Sequence, residues 1–398
     1  MQYQCHSETN KPQTILVHEP GLETRIAVEH PSDWGFDPIL EKYSRPFEKW
    51  LEDAQREHRG MVSALRNEGI SVIYVRDLLE QRPDDCRQYL GRQFEHLTTS
   101  VYAQNYHKAH FNYIMDSLLE NPVSGLLLGM ETHEFFRDIP YEEKLNFYKI
   151  SKTLMPQTSL YYVQDPVIST PAGLVKPKMA MWVRRQEPDI LEIALGKGEY
   201  VYHLKNKTEG GDVTMCSYAC VHGGDIFYID GRMLLGINAL SGQGAVSEAE
   251  KVAKAAGTKD IVLFFTPDYF EPRARYATGN VMHLDTVMMP IDESTVLGNK
   301  SMLERTAVRE QENPIINGYD WARKNYIGFV DVPDDEQQGI RGWGSNVLPL
   351  GNKKIISSAH LENTNMNLKR AGFDVCELES STLTSGFGSF HCMTAYLK

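Results

Sequence analysis

The chain has 398 residues, 41% of them hydrophobic and 24% charged, with 41 Lys plus Arg against 53 Asp plus Glu and a net charge of −12. That is an ordinary globular composition, long enough for one large domain with an insertion or for two domains. The acidic balance argues against a nucleic-acid partner, which needs a basic face.

The opening "MQYQCHSETNKPQT" lacks the basic and apolar regions of a signal peptide. "QTILVHEPG" then predicts a strand stopped by Pro-Gly. An amphipathic helix follows in "RPFEKWLEDAQREHRGMVSALRNEG", with Phe47, Trp50, Leu51, Ala54, Met61, Val62 and Leu65 at helical spacing and Gly69 at its C-cap. "ISVIYV" completes a strand–helix–strand unit. Residues 77–152 change texture and predict a mainly helical insertion.

From "TSLYYVQDP" onward strand signals return, in "GLVKPKMAMWV", "DIFYIDGRMLLGIN", "DIVLFF", "VMHLDTVMMP" and "KKIISS". Helices are predicted at "AVSEAEKVAKAAG" and "TNMNLKRAG", and "FDVCEL" closes a second strand–helix–strand unit. No apolar run is long enough to span a bilayer, so no membrane partner is expected. Six scattered cysteines (5, 86, 216, 220, 376 and 392) favour reduced thiols and a cytoplasmic location.

Several polar residues stand at predicted strand ends. In "MHLDTV", read as a strand, His283 and Asp285 share a face; a surface-facing strand is the plain alternative. In "VQDPV", Pro166 holds Asp165 extended or in a turn, the usual end of a strand. In "CVHGGDIFYIDGRMLLG", His222 and Asp225 flank two glycines that let backbone pass close to a neighbour, as would a simple turn into a hairpin. Cys216, Cys220 and His222, as C-x3-C-x-H, fit no standard zinc spacing, and no metal is expected. Cys392 lies in the tail "GFGSFHCMTAYLK", directly after a histidine.

Together a thiol, an imidazole and several carboxylates suit attack by a thiolate on a cationic carbon. Carboxylates would grip a guanidinium through charge-assisted hydrogen bonds, and the imidazole would pass a proton to the leaving amine.

At this point "ILVHEPGLE", "AQREHRGMVSALRNEGISVIYVRDLL", "YYVQDP", "VRRQE", "HGGD", "HLDTV", "LKRAGFDV" and "FHCMT" carry a resemblance to arginine deiminases over roughly residues 12–395. These belong to the guanidino-group-modifying superfamily that also holds the amidinotransferases. The resemblance implies a single α/β domain over 1–398, a five-bladed α/β-propeller of ββαβ modules carrying the 77–152 helical insertion. It implies chemistry without metal or organic cofactor on a small guanidino substrate, and a homo-oligomer is compatible with it. Cys392 would attack the guanidinium carbon, and His283 would protonate the leaving nitrogen and then activate water against a thiouronium intermediate. Asp165 and Asp285 would hold the guanidinium, with Asp225 beside them, and Arg184 would meet a substrate carboxylate.

The departures concern recognition. His222 stands where the family has a Glu that helps hold the guanidinium; Glu209 in an upstream "TEGGD" is a less fitting substitute. Phe387 and Leu240 replace arginines, Ser159 replaces an Asn, and Gln164 replaces an Arg. Losing such partners for the α-groups of arginine costs about 1–3 kcal/mol each when buried. The expected activity is therefore a cysteine-dependent guanidine or amidine hydrolase on arginine or a modified guanidino substrate. "GSFHC" resembles the amidinotransferase branch, which keeps amidino transfer from Cys392 to an amine as an alternative. A catalytically decayed binding protein is the second.

Overall fold

Ile15, Leu16 and Val17 are fully buried in strand β1 (Thr14–Val17). This computed structural model describes residues 3–34, 46–99, 108–204, 220–229, 231–241, 244–311, with 271–282 excepted, 313–338 and 342–398. The predicted amphipathic helix is α1 (Phe47–Asn67), with Phe47, Trp50, Ala54, Met61, Val62 and Leu65 buried in the core and Leu51 half-buried. It ends where Gly69 takes φ 75°, a conformation open to glycine, with Ile70 N–H donating back to Leu65 O at 3.1 Å. Strand β2 (Ser71–Tyr74) then runs parallel to β1. Between Tyr74 and Ile168 the described residues form no strand; the longest helices there are α2 (Pro83–Thr99), α3 (Lys108–Glu120) and α4 (Tyr141–Ser151).

Five sheets share one plan: an antiparallel pair, a hairpin in four of them and the two chain ends in the first, then a crossover to a strand parallel with the pair's inner member. In the second sheet β3 (Ile168–Thr170) and β4 (Gly173–Lys176) form the hairpin, and α5 (Glu187–Leu195) leads to β5 (Tyr200–His203). The third has β6 (Ile226–Ile229), β7 (Arg232–Ile237), α6 (Ala245–Ala256) and β8 (Asp260–Phe265). In the fourth, β9 (Met288–Asp292) pairs with β10 (Thr295–Gly298). The crossover from β10 first lends β11 (Ala307–Glu310) and β12 (Ile316–Asn317) to the third sheet, where β11 lies antiparallel to β8. It then returns to β13 (Gly328–Asp331), parallel to β10. The fifth sheet has β14 (Leu348–Pro349), β15 (Lys354–Ser358), α7 (Glu362–Arg370) and β16 (Asp374–Leu378). Finally β17 (Ala395–Tyr396) pairs antiparallel with β1 and completes the first sheet.

Two predicted strands differ. "TSLYYVQDP" is a run of turns, because its carbonyls go to a side chain instead of a ladder: the Arg184 guanidinium donates to Tyr162 O at 2.9 Å and Ser159 O at 3.5 Å. In "VMHLDTVMMP" the strand starts only at Met288; His283 is the N-cap of a 3-10 turn over Leu284–Thr286. Thr286 Oγ1 closes that turn, bonding His283 N at 3.3 Å and His283 O at 2.7 Å. The extension of "GLVKPKMAMWV" stops at Lys176, ahead of Pro177, whose ring cannot donate to a ladder.

Candidate active site

Each of the five sheets sends one polar loop to the same place, just before one strand of its antiparallel pair. Asp165 precedes β3, His222 and Asp225 precede β6, His283 and Asp285 precede β9, Asn346 precedes β14, and Cys392 precedes β17. All seven are buried.

Cys392 is set by two contacts. Its N–H donates to Asn346 Oδ1 at 3.2 Å, an oxygen that also accepts Ser389 N–H at 3.1 Å. Its Sγ lies 3.4 Å from Asp285 Oδ2. Burial, then the Asp285 and Asp165 carboxylates, push the thiol pKa well above its ordinary value, so the resting side chain is a neutral thiol. Helix α1 supports the same loop from below: buried Glu57 accepts the N–H groups of Thr382 and Leu383 at 3.0 and 2.9 Å.

His283 sits between Asp165 and His222, with Nδ1 3.1 Å from Asp165 Oδ1 and Nε2 3.2 Å from His222 Nδ1. Burial opposes a charged imidazole, yet Asp165 and Asp225 push its pKa up to about 9, which supplies a proton donor at neutral pH. Burial likewise opposes ionisation of Asp165, but His283 and Arg184 outweigh it and hold the carboxyl well below its usual range. Asp225 is oriented by Asn238 Nδ2 at 2.8 Å and Leu284 N at 3.1 Å, both on Oδ1, while burial raises its pKa.

His222 Nε2 accepts the Ala180 N–H at 3.1 Å. That bond fixes the neutral tautomer with its proton on Nδ1, the atom turned toward His283 and 3.5 Å from Asp225 Oδ2. Burial keeps His222 neutral by lowering its pKa. One ligand atom from each of His222, Asp225 and His283 lies within 4.8 Å of the other two, a spacing that suits a metal. A metal would need a bare Nδ1 on His222, so the tautomer makes this cluster a proton network. Cys220, whose C-x3-C-x-H spacing with Cys216 and His222 fits no standard zinc pattern, is buried with Ala180 and Leu240; Cys216 and Glu209 lie outside the described residues.

Glycine makes room for this assembly. A Cβ on Gly224 would sit 2.8 Å from Asp165 Oδ1, 2.9 Å from His283 Nδ1 and 3.1 Å from Asp285 Oδ2.

Arg184 is expected, by resemblance, to meet a substrate carboxylate. Its guanidinium is buried and engaged on every side: Asp165 Oδ2, Glu187 Oε2 at 2.8 Å, and the carbonyls of Tyr162 and Ser159. These contacts anchor the Asp165 carboxylate. Ser159 contributes its carbonyl to that anchor. Phe387 takes φ 69° and packs edge-on against Trp343, φ 74°, with ring centroids 6.1 Å apart.

The family model for arginine deiminase matches residues 47–398. The chain belongs to the arginine deiminase family. Membership places it among enzymes acting on the C–N bonds of guanidino groups. It is 23% identical to the arginine deiminase of Metamycoplasma arthritidis over 98% of this chain and 95% of that protein. It is 25% identical to that of Listeria welshimeri over 98% and 96%. Among solved structures it is similar in fold to an amidinotransferase of Microseira wollei from the saxitoxin biosynthetic pathway, with TM-score 0.56, 14% identity and 100% and 97% coverage. The DDAH of Pseudomonas aeruginosa complexed with citrulline gives TM-score 0.53, 12% identity and 96% and 98% coverage. These likenesses establish an α/β fold shared with both.

Within this arginine deiminase family member, three contributors escaped the sequence reading. Asn346 occupies the same pre-strand position as the other site residues, which is a signal that position alone offers. His391 adjoins Cys392, and its Nδ1 lies 2.8 Å from Asp285 Oδ2. Glu8, in a polar stretch with no motif, reaches His391 Nε2 at 3.2 Å and Gln164 Nε2 at 3.2 Å. No described helix is long and apolar enough to cross a membrane.

Proposed function

We propose that this protein is a cysteine-dependent hydrolase of a guanidino group, acting through a covalent thiouronium on Cys392, with a substrate other than free arginine. One observation carries the reading: the buried carboxylates of Asp165 and Asp285 both face the Cys392 thiol, and Asp285 Oδ1 accepts no hydrogen bond among the described residues. Buried anionic oxygens left this way are costly, and a planar cation with many N–H donors relieves them.

The steps follow from the same atoms. A bound guanidinium offsets Asp165 and Asp285, lowers the thiol pKa, and Asp285 Oδ2 is the acceptor on hand for the thiol proton. Sγ bonds to the guanidinium carbon, and His283 delivers its proton to the departing nitrogen as that C–N bond breaks. Neutral His283 then takes a proton from water, whose oxygen bonds to the same carbon. Collapse breaks the C–S bond; Asp285 returns its proton to sulfur, the new hydroxyl gives its proton to the released amine as the ureido carbonyl forms, and His283 is left protonated as at the start. His222, Asp225 and Asp285 hold these groups in place, while Phe387, Leu240, Ser159 and Gln164 leave the α-groups of arginine without their polar partners.

Amidino transfer is the second reading, favoured by "GSFHC"; an acceptor amine would then replace water. A decayed binding protein is the third. The reading also takes the five sheets as propeller blades, 1–398 as one catalytic domain with 77–152 inserted, and a cytoplasmic location. The repeated strand order and the one site fed by every sheet support the propeller.

A panel of guanidino compounds, with wild type and Cys392→Ser, tests the proposal by intact mass and product analysis. An amidino adduct on wild type alone, with ammonia or an amine and a ureido product, is expected. A new guanidine on an acceptor amine would establish transfer. Ordinary turnover of free arginine to citrulline would overturn the substrate claim, and absence of any adduct or product would favour the binding protein.

A further inference from the structure

His391 takes no part in the steps above, yet it is fully buried beside the nucleophile. Its Nδ1 faces Asp285 Oδ2 at 2.8 Å and its Nε2 faces Glu8 Oε2 at 3.2 Å. A neutral imidazole has one N–H and one bare lone pair, and a lone pair aimed at a carboxylate is repulsive. With a carboxylate on each edge, only the imidazolium donates on both sides. Glu8 is itself buried and reaches this place from the N-terminal segment, its other oxygen bound by the Gln164 side chain beside Asp165. That segment is held by backbone bonds from Gln4 N to Leu397 O at 2.8 Å and from Cys5 N to Thr170 O at 3.0 Å.

We infer that His391 is a fixed cation behind Asp285, supplied with its counter-charge by Glu8, and that it acts as a positioning residue which makes the Cys392 thiolate accessible among carboxylates. The inference rests on the reading of Cys392 as nucleophile. The oxygen that His391 holds, Asp285 Oδ2, is the one 3.4 Å from Sγ, so the imidazolium partly cancels the charge that most opposes thiolate formation. The other groups facing the thiol are Asp165 and the Tyr162 hydroxyl, with His283, Arg184 and His222 grouped around Asp165 and Asp225 beside the two histidines. Glu8 is also faced by Cys5 and Tyr396, and His391 by the Phe227 ring at 5.8 Å.

The test uses full-length protein without substrate, so it stands apart from turnover. In 15N-labelled protein, with the His391 signals assigned by their loss in His391→Asn, both ring nitrogens should keep imidazolium shifts from pH 6 to 8.5. Glu8→Gln should bring that titration down into the range. Iodoacetamide labelling of Cys392, read by peptide mass against pH, should move its midpoint up by about one unit in His391→Asn. That is about tenfold less thiolate at a given pH. A neutral, single-tautomer His391 at pH 7 would overturn the inference. So would an unmoved or lowered labelling midpoint in a His391→Asn protein with a native circular dichroism spectrum, since a merely structural role changes melting temperature and leaves the midpoint in place.

Discussion

His222 points its only ring proton at His283: Nδ1 of the first lies 3.2 Å from Nε2 of the second, with the Ala180 N–H on the far nitrogen fixing the direction. A donor so placed favours neutral His283, the form that the proposed hydrolysis needs to take a proton from water. A carboxylate there would favour the imidazolium. When His283 is protonated, the His222 proton has Asp225 Oδ2, 3.5 Å away, as its other acceptor.

His222→Glu should therefore raise the His283 pKa above about 9. The basic limb of the pH–rate profile moves up, and the step that needs neutral His283 slows, so the covalent intermediate accumulates. His222→Gln should leave the limb nearer the wild-type position. Stopped-time intact mass across pH checks both; an unmoved limb in the Glu variant would sink the idea.

Arg184→Lys should act on the fold more than on substrate affinity. Arg184 meets Asp165, Glu187 and two carbonyls in a buried cage, and an ammonium cannot reproduce that fork. Removing the charge altogether, as Arg184→Ala, leaves two buried acids and costs about 3–5 kcal/mol. Urea unfolding measures the loss. A stable Ala variant with only a raised KM would return Arg184 to the role of carboxylate receptor.

Gly224→Ala should lower activity about 100-fold in a protein that still folds. The new methyl group must displace Asp165, His283 or Asp285, all within 3.1 Å of it, by a few tenths of an ångström or more. A loss of about 100-fold in kcat fits misplacement on that scale. Activity beside circular dichroism decides, and a near-wild-type kcat would show that the site is not packed as described.

Stability should fall as pH rises from about 7 to 10. His283 and His391 have folded pKa values of about 9 and about 10, above the ordinary histidine value. Their contribution is full below the unfolded value, about 6.5, and is lost as pH passes through 9 and 10. Cys392 adds to the same fall, since its thiol ionises more easily unfolded. Asp165, held low when folded, acts at the other end: its contribution is present above the unfolded value and is lost in acid. Melting temperature against pH, compared with His391→Asn, should show the alkaline slope flattened in the variant.

Much of this was readable in the sequence, sometimes for the wrong reason. Helix α1 follows its apolar spacing residue by residue, because a surface helix must bury one stripe whatever lies beneath it. His283 and Asp285 were singled out as neighbours on one strand face; they meet because a Thr286-capped turn gathers them before β9. Period-two alternation in "MHLDTV" has no way to register that cap. Arg184 was assigned by motif, but only three-dimensional contacts reveal that Asp165 and Glu187 already claim its guanidinium. Glu8 was illegible: its partner lies 383 positions away, and nothing local distinguishes it from any polar residue in a leading segment.

Because every sheet sends its own loop to one place, the candidate site behaves as a five-way conjunction. A slip of any one hairpin displaces a member while the other four remain seated. Loss of turnover should thus precede loss of secondary structure in denaturant, making activity a more sensitive gauge of local opening than any bulk optical signal.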